Sequence, residues 1–250
     1  MSHVVNPVGP VSLSPESTIG SLVAAKPSRS RIFEQLGIDY CCGGKIPLSE
    51  ACQKKGLDTS TVVKMLVAMD SAASNPADAV NPATMSLSDL ADHIEHTHHA
   101  YLREELPRLD AITEKVARVH GEHDTRLSKV RAAFTALNEE MLSHMLKEER
   151  ILFPMIRQLE AAQDPSVLHC GTLANPIRQM ESEHDSAGGG MALMRELTDE
   201  FTPPDWACNT YRAMLDGLAV LERDLHQHVH KENNVLFPRS IQLEQSLTKN

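Results

Sequence analysis

His228-Val-His-Lys-Glu232-Asn-Asn-Val-Leu-Phe-Pro238 is the stretch on which the fold turns. On an α-helix a residue and its fourth neighbour share one face, one turn apart. His228 and Glu232 can therefore offer an imidazole nitrogen and a carboxylate oxygen to one metal ion. The stretch has a twin. His144-Met-Leu-Lys-Glu148-Glu-Arg-Ile-Leu-Phe-Pro154 repeats the pair and its distance to Phe-Pro. A single pair could be an ordinary solvated helical pair. Two in matching context point to a duplicated metal-binding half.

Upstream, His98-His99 stand about 45 residues before His144, and His184 stands 44 before His228. Each half thus has a histidine early and His-x-x-x-Glu late. The hydrophobic pattern supplies four long helices to carry them. The first runs from Ser86 or Ser88 to about His120, with Leu87, Leu90, Ile94, Tyr101, Leu109, Ile112 and Val116 as its stripe and a kink expected at Pro107. The second spans about Asp124 to Glu160, bent or broken at Pro154. The third runs from Leu173 to Phe201 and stops at Thr202-Pro203-Pro204. The fourth covers Pro204 to Leu247, with a late bend at Pro238. Short connections make the fold class all-α, an antiparallel four-helix bundle. Four histidines and two glutamates then meet at one height. Such a set suits two ions, with carboxylate bridges. Mixed N/O ligation without thiolate suits iron or manganese, and zinc would bind as well. Ferritin-like bundles use Glu-x-x-His instead.

Composition agrees. Aromatics make up 4% of the 250 residues, so helices are favoured over sheets. A formal net charge of −10 argues against a nucleic-acid partner. Residues 1–17 show no basic start and no apolar run, and no ~20-residue apolar segment occurs, so neither a secretory signal nor a membrane span is expected. The five cysteines form no spaced disulfide framework, which fits a reducing cytoplasm. Cys52, Cys170 and Cys208 read as ordinary small residues.

Residues 1–17 read as a flexible arm, and 18–72 as a small helical domain carrying Asp39-Tyr40-Cys41-Cys42-Gly43-Gly44-Lys45. Residues 73–85, with two Asn-Pro pairs, read as a linker, and 86–250 as the bundle. Adjacent cysteines rarely bridge each other without strain. A thiolate beside Gly-Gly and Lys45 can be activated, which makes Cys41 and Cys42 redox candidates. Two small semi-buried residues in a turn are the plain alternative. The small core of 18–72 makes a homodimer through this domain an expectation.

Residues 86–250 resemble the haemerythrin-like di-iron bundles, and the Cys41-Cys42-Gly43-Gly44 segment resembles the N-terminal domain of the repair-of-iron-centres family. The matching stretches are 39–45, His144 to Pro154, Met180-Glu181-Ser182-Glu183-His184-Asp185, and His228 to Arg239. The resemblance implies His99, His144, His184 and His228 as terminal ligands of two iron ions, with Glu148 and Glu232 bridging. Periodicity alone places His98 nearer the middle of the stripe; the family register relative to Leu106-Pro107 favours His99. His93 and His96 are expected to be exposed. His120 matches a family histidine but lies 21 residues past His99, ~30 Å along a straight helix, and reads as a non-ligand. Glu140 and Glu183 are candidate partners that orient an imidazole or line an ion path.

In oxygen-carrying haemerythrins the third helix supplies two histidines four apart. Here the position four after His184 is Gly188, in Gly188-Gly189-Gly190, and that run is expected to soften the helix. One ion keeps an open position, which favours small-molecule reaction or iron release over reversible oxygen carriage. What the family implies is repair of iron–sulfur clusters damaged by nitrosative or oxidative stress, by iron donation to client proteins. Two other readings are reduction of nitric oxide to nitrous oxide with Cys41 or Cys42 relaying electrons, and an oxygen or nitric-oxide carrier or sensor.

Overall fold

A computed structural model describes residues 13–71, 80–168 and 171–248. Cys170, residues 1–12 of the arm and most of the linker lie outside the described residues. Among the described residues the chain forms helices and turns and no strand, and no helix is long and apolar enough to cross a membrane.

The N-terminal part holds α1 (Ile19–Ala25), α2 (Ser30–Gln35), α3 (Leu48–Lys54) and α4 (Thr59–Ser71). Thr18 caps α1, its hydroxyl accepting from Ser21 N–H at 3.3 Å. Ile19, Leu22, Phe33, Leu48, Val62 and Leu66 close a separate small core.

The bundle's four rods are longer than any one α-helix within them. Rod one is α5 (Leu87–Ile94), a π turn (Glu95–His99) and α6 (Ala100–His120). Rod two is α7 (Arg126–Lys147), a π turn (Glu148–Leu152) and α8 (Phe153–Ala162). Rod three is α9 (Ala174–Leu197). Rod four is α10 (Asn209–Lys231), a π turn (Glu232–Leu236) and α11 (Phe237–Thr248). Rods cap one another. The Glu160 carboxylate of α8 accepts from the N–H groups of Leu87 and Ser88, both at 2.8 Å, and Glu244 accepts from Leu173 N–H at 3.1 Å.

Expectations are sharpened or corrected at three points. Of the bend or break expected at Pro154, the break does not occur: rod two continues to Ala162, close to the expected end at Glu160. Proline sits in the first turn after the widened π turn, where the N–H it lacks has no regular helical partner to lose. The third rod ends at Leu197 rather than at Phe201. Asp199, Glu200 and Phe201 take φ of 50°, 61° and 58°, and the Thr198 hydroxyl accepts from Phe201 N–H, so a left-handed turn closes the helix before the prolines. The fourth rod starts at Asn209, not Pro204. The Gly188-Gly189-Gly190 run lies within continuous α9.

The rods bury two separate apolar clusters. One contains Leu106, Leu109, Phe134, Leu137, Met191, Leu218 and Leu221. The other contains Leu90, Ile94, Phe153, Ile156, Ile177, Leu236 and Phe237. Between them lies a layer of buried histidine and glutamate.

Candidate metal centre

That layer is built by the π turns. A π turn carries one residue more per turn than an α-helix, and so re-aims the side chains at its ends. Glu148 and Glu232 open the π turns of rods two and four, and His99 closes that of rod one. All three point into the layer with His144, His184 and His228. None of the six is more than 1% exposed.

Two groups result. His99, Glu148, His228 and Glu232 form one; His144, Glu148, His184 and Glu232 form the other. Within each group the ligand atoms lie within 4.8 Å of one another, and both carboxylates belong to both groups. His99 Nε2 and His144 Nε2 each stand 3.3 Å from Glu148 Oε2. His184 Nε2 is 3.1 Å from Glu232 Oε2, and His228 Nε2 is 3.0 Å from Glu232 Oε1. His144 Nε2 and His184 Nε2 face each other at 3.0 Å.

The protein alone leaves this layer unsatisfied. Both Glu148 oxygens, Glu232 Oε2 and His99 Nε2 are buried without a hydrogen-bond partner. Buried carboxylate oxygens of this kind are expensive unless an ion or donor meets them. Burial, and then the Glu232 charge, push the Glu148 carboxyl well above its usual range. Burial acts the same way on Glu232, but His228 and His184 outweigh it and hold that carboxyl low. Burial lowers His144 and His228 to about 4, so both stay neutral, the form a metal requires. For His99 and His184 burial is outweighed by Glu148 and Glu232 respectively, and both are raised. An ion would take the place of those protons. The donor set and its unpartnered atoms fit metal ions held by imidazole and carboxylate.

The imidazoles are oriented from behind. His99 Nδ1 meets Glu149 Oε1 at 2.7 Å, His144 Nδ1 meets Glu183 Oε2 at 2.9 Å, and His184 Nδ1 meets Asn233 Oδ1 at 2.9 Å. Each contact turns Nε2 towards the centre. Glu149 and Asn233 were missed by the sequence reading. The repeat held the signal: each directly follows a layer glutamate. Glu140 does not reach an imidazole; it accepts from Ser186 Oγ at 3.0 Å.

The remaining histidines fall elsewhere. His98 points away from the centre, with Nδ1 2.8 Å from Asp224 Oδ1 and its ring stacked on His228 at 5.1 Å. His93 was expected to be exposed but is half-buried beside Lys231, whose ammonium lies 3.0 Å from its Nε2. His96 is exposed. His120 sits at the far end of α6 against Cys208 Sγ, 3.2 Å away.

The cysteine pair lies against the layer. Cys42 Sγ donates to the His184 carbonyl at 3.7 Å, and a Cβ at Gly188 would stand 3.9 Å from the same sulfur. The expected activation by Lys45 is not there, because the Lys45 ammonium pairs with Glu181 at 2.7 Å. Cys41 is 5% exposed and its thiol is pushed well up, first by Cys42 and then by burial. Asn234, in the π turn of rod four, ties the two parts together by donating to Cys41 O at 2.9 Å. Gly20 and Gly44 make room for it: a Cβ on either would fall 2.1 or 2.4 Å from Asn234 Oδ1.

A family model described as Hemerythrin HHE cation binding domain matches residues 90–240. The chain belongs to the haemerythrin family. A second model, ScdA_N, described as a domain of unknown function, matches residues 15–70. Among curated relatives, the iron-sulfur cluster repair protein YtfE of Yersinia pseudotuberculosis is 38% identical over 224 residues, covering 90% of this chain and 96% of that one. Its counterparts in Pectobacterium carotovorum and Musicola paradisiaca are 39% and 38% identical over 226 residues, covering 90% of this chain and 97% and 96% of theirs. These alignments extend well past the haemerythrin part into the ScdA_N part.

Proposed function

We propose that this chain repairs iron–sulfur clusters damaged by nitrosative or oxidative stress in the cytoplasm, by donating iron from a carboxylate-bridged di-iron centre. His99 and His228 would hold one ion and His144 and His184 the other, with Glu148 and Glu232, which belong to both groups, shared between them. The observation that carries this reading is the pair of four-residue groups sharing both carboxylates, with carboxylate oxygens buried and unpartnered. Likeness over 90% of the chain to proteins named for iron-sulfur cluster repair supports the role.

The bound ions supply Lewis acidity and redox capacity. The chain's own residues do the rest. Glu149, Glu183 and Asn233 fix the tautomers of three ligand imidazoles, and the apolar clusters on either side exclude water. Gly188 offers no fifth imidazole, and Cys42 Sγ lies beside it, an arrangement that would suit a labile ion. The spans 18–72 and 86–250 act as a small docking domain and the iron-holding bundle. This division is supported by the matched ranges 15–70 and 90–240. Damaged iron–sulfur proteins are the clients, nitric oxide and dioxygen the small ligands, and a homodimer through 18–72 the assembly. Electron relay from Cys41 is disfavoured by its raised, buried thiol.

Protein purified from iron-grown cells is expected to hold two irons with a coupled Mössbauer signature, and to restore a nitric-oxide-damaged [4Fe–4S] hydratase while losing iron. Glu232→Leu should lose both properties. An iron content unaffected by Glu232→Leu would sink the assignment. Nitrous oxide produced over many equivalents would favour the nitric-oxide reductase reading instead.

A further inference from the structure

Three of the four ligand imidazoles have an oxygen behind them, and the fourth has none. Glu149, Glu183 and Asn233 meet Nδ1 of His99, His144 and His184. His228 Nδ1 is buried without a hydrogen-bond partner among the described residues. The internal repeat shows why. Glu183 and His98 directly precede His184 and His99, so they hold equivalent places in the two halves. Glu183 turns its Oε2 to His144 Nδ1. His98 instead lays its ring flat on His228, with centroids 5.1 Å apart and planes at 3°. Both of its nitrogens are engaged elsewhere. Nδ1–H donates to Asp224 Oδ1 at 2.8 Å, and Nε2 accepts from the Lys231 ammonium at 2.6 Å. No acceptor is left for His228.

The charges behind the two ligands differ as well. Lys147 and Lys231 stand three residues past His144 and His228. The Lys147 ammonium pairs with Glu183 and is neutralised there. Lys231 contacts His93 Nε2 at 3.0 Å and His98 Nε2, and the Asp224 carboxylate reaches it only through the His98 ring. A neutral imidazole that binds a metal through Nε2 carries its proton on Nδ1. At His228 that N–H lacks an acceptor in a dry interior, a cost the other three ligands do not bear. Ligand count does not rank the two ions. With Gly188 in place of a fifth imidazole, each group has two imidazoles and the same two carboxylates.

We propose that the two ions are held unequally: the ion on the His99 and His228 group exchanges and leaves first, and His98 sets the difference by standing where the other half has a carboxylate. A carboxylate behind a ligand imidazole fixes its rotation and raises its basicity, and its loss lowers metal affinity by about 10–100-fold. His99 keeps Glu149, so His228 is the loosened ligand of its group. His98 acts through His228 and is a positioning residue. This inference rests on the di-iron reading and adds which ion is given up. A chain that binds fewer than two irons defeats that reading. A chain that binds two and exchanges them together defeats only the inference.

Isotope exchange on the full-length iron-loaded chain tests it. Protein carrying ordinary iron is incubated with excess ferrous iron of a heavy isotope, desalted at intervals and counted by isotope-resolving mass spectrometry. One iron should exchange about tenfold or more faster than the other. Glu183→Ala removes the oxygen behind His144, and should speed the slow iron about tenfold while leaving the fast one unchanged. His98→Glu should slow the fast iron towards the slow one. Circular dichroism checks that this variant folds, and where it does not, Glu183→Ala decides alone. A single exchange rate for both irons of the wild type would overturn the proposal, as would a Glu183→Ala variant that changes neither rate. A fast iron accelerated by Glu183→Ala would also overturn it, by assigning the loose ion to His144 and His184 beside Gly188.

Discussion

Glu149 and Asn233 never meet an ion in the proposed centre, yet each holds the back of an imidazole that does. Losing such an oxygen frees the ring to rotate and to take the wrong tautomer, which typically lowers metal affinity about 10–100-fold. Glu149→Ala and Asn233→Ala should each show that loss in chelator competition, while Glu140→Ala, whose carboxylate accepts from Ser186 and from no imidazole among the described residues, should not. A different carboxylate gives a pH signature. Burial pushes the Asp224 carboxyl up to about 6, and its Oδ2 is buried without a partner. A raised acid binds its proton more tightly folded than unfolded. Its burial therefore costs nothing below about pH 4, and the cost is complete above about pH 6, on the order of 2–3 kcal/mol. Asp224→Asn keeps an acceptor for His98 Nδ1 and removes the charge. It should melt higher than wild type at pH 7.5 and no higher at pH 4. A pH-independent gain would mean that the charge is not the cause. The ligands were legible because the His-x-x-x-Glu repeat marks them. Glu149 and Asn233 carry no such mark, because a polar residue beside a ligand usually means a solvated helix face.

The helices show where periodicity stops being informative. Apolar spacing reveals the four rods, but a π turn adds a single residue and leaves the stripe apparently intact, so the pattern does not show the three widened turns and leaves a bend and a break at Pro154 equally open. The close of α9 was misplaced for a related reason: Asp199, Glu200 and Phe201 take left-handed backbone without a glycine to announce it. The Gly188-Gly189-Gly190 run makes an element-scale prediction. A Cβ at Gly189 or Gly190 would meet nothing within 4 Å. Either alanine should stabilise α9 by about 1 kcal/mol, raising the melting temperature by roughly 2–4 °C. Gly44→Ala should act oppositely, because its Cβ would fall 2.4 Å from Asn234 Oδ1 and 2.6 Å from Tyr40 O. Overpacking of this kind typically costs about 1–3 kcal/mol. It should also raise proteolysis of the N-terminal part, read by limited digestion.

Across the whole molecule, the metal layer divides the bundle core in two, and that arrangement sets a conflict between stability and function. Apolar clusters on both sides bury Glu148 and Glu232 completely, yet three of their four oxygens make no hydrogen bond among the described residues. Without an ion the layer is a pair of poorly compensated carboxylates in a dry interior. Replacing such buried charges by apolar residues of similar size is often neutral or stabilising, by about 1–4 kcal/mol. With an ion the balance reverses, since a ligand bound only by the folded state stabilises it in proportion to the logarithm of its concentration over its dissociation constant. Glu148→Leu/Glu232→Leu should therefore melt above the iron-stripped wild type and below the iron-loaded wild type, and iron should not change its melting temperature. If stripped wild type matches or exceeds the double variant, the carboxylates are compensated by the imidazoles alone, and the layer is a structural polar network rather than an ion site. The bundle architecture could be anticipated from sequence because each rod carries its own stripe. The seating of the cysteine turn on the metal layer could not, because it depends on Gly20 and Gly44 being small opposite Asn234 more than 180 residues away, a fit that no local pattern records.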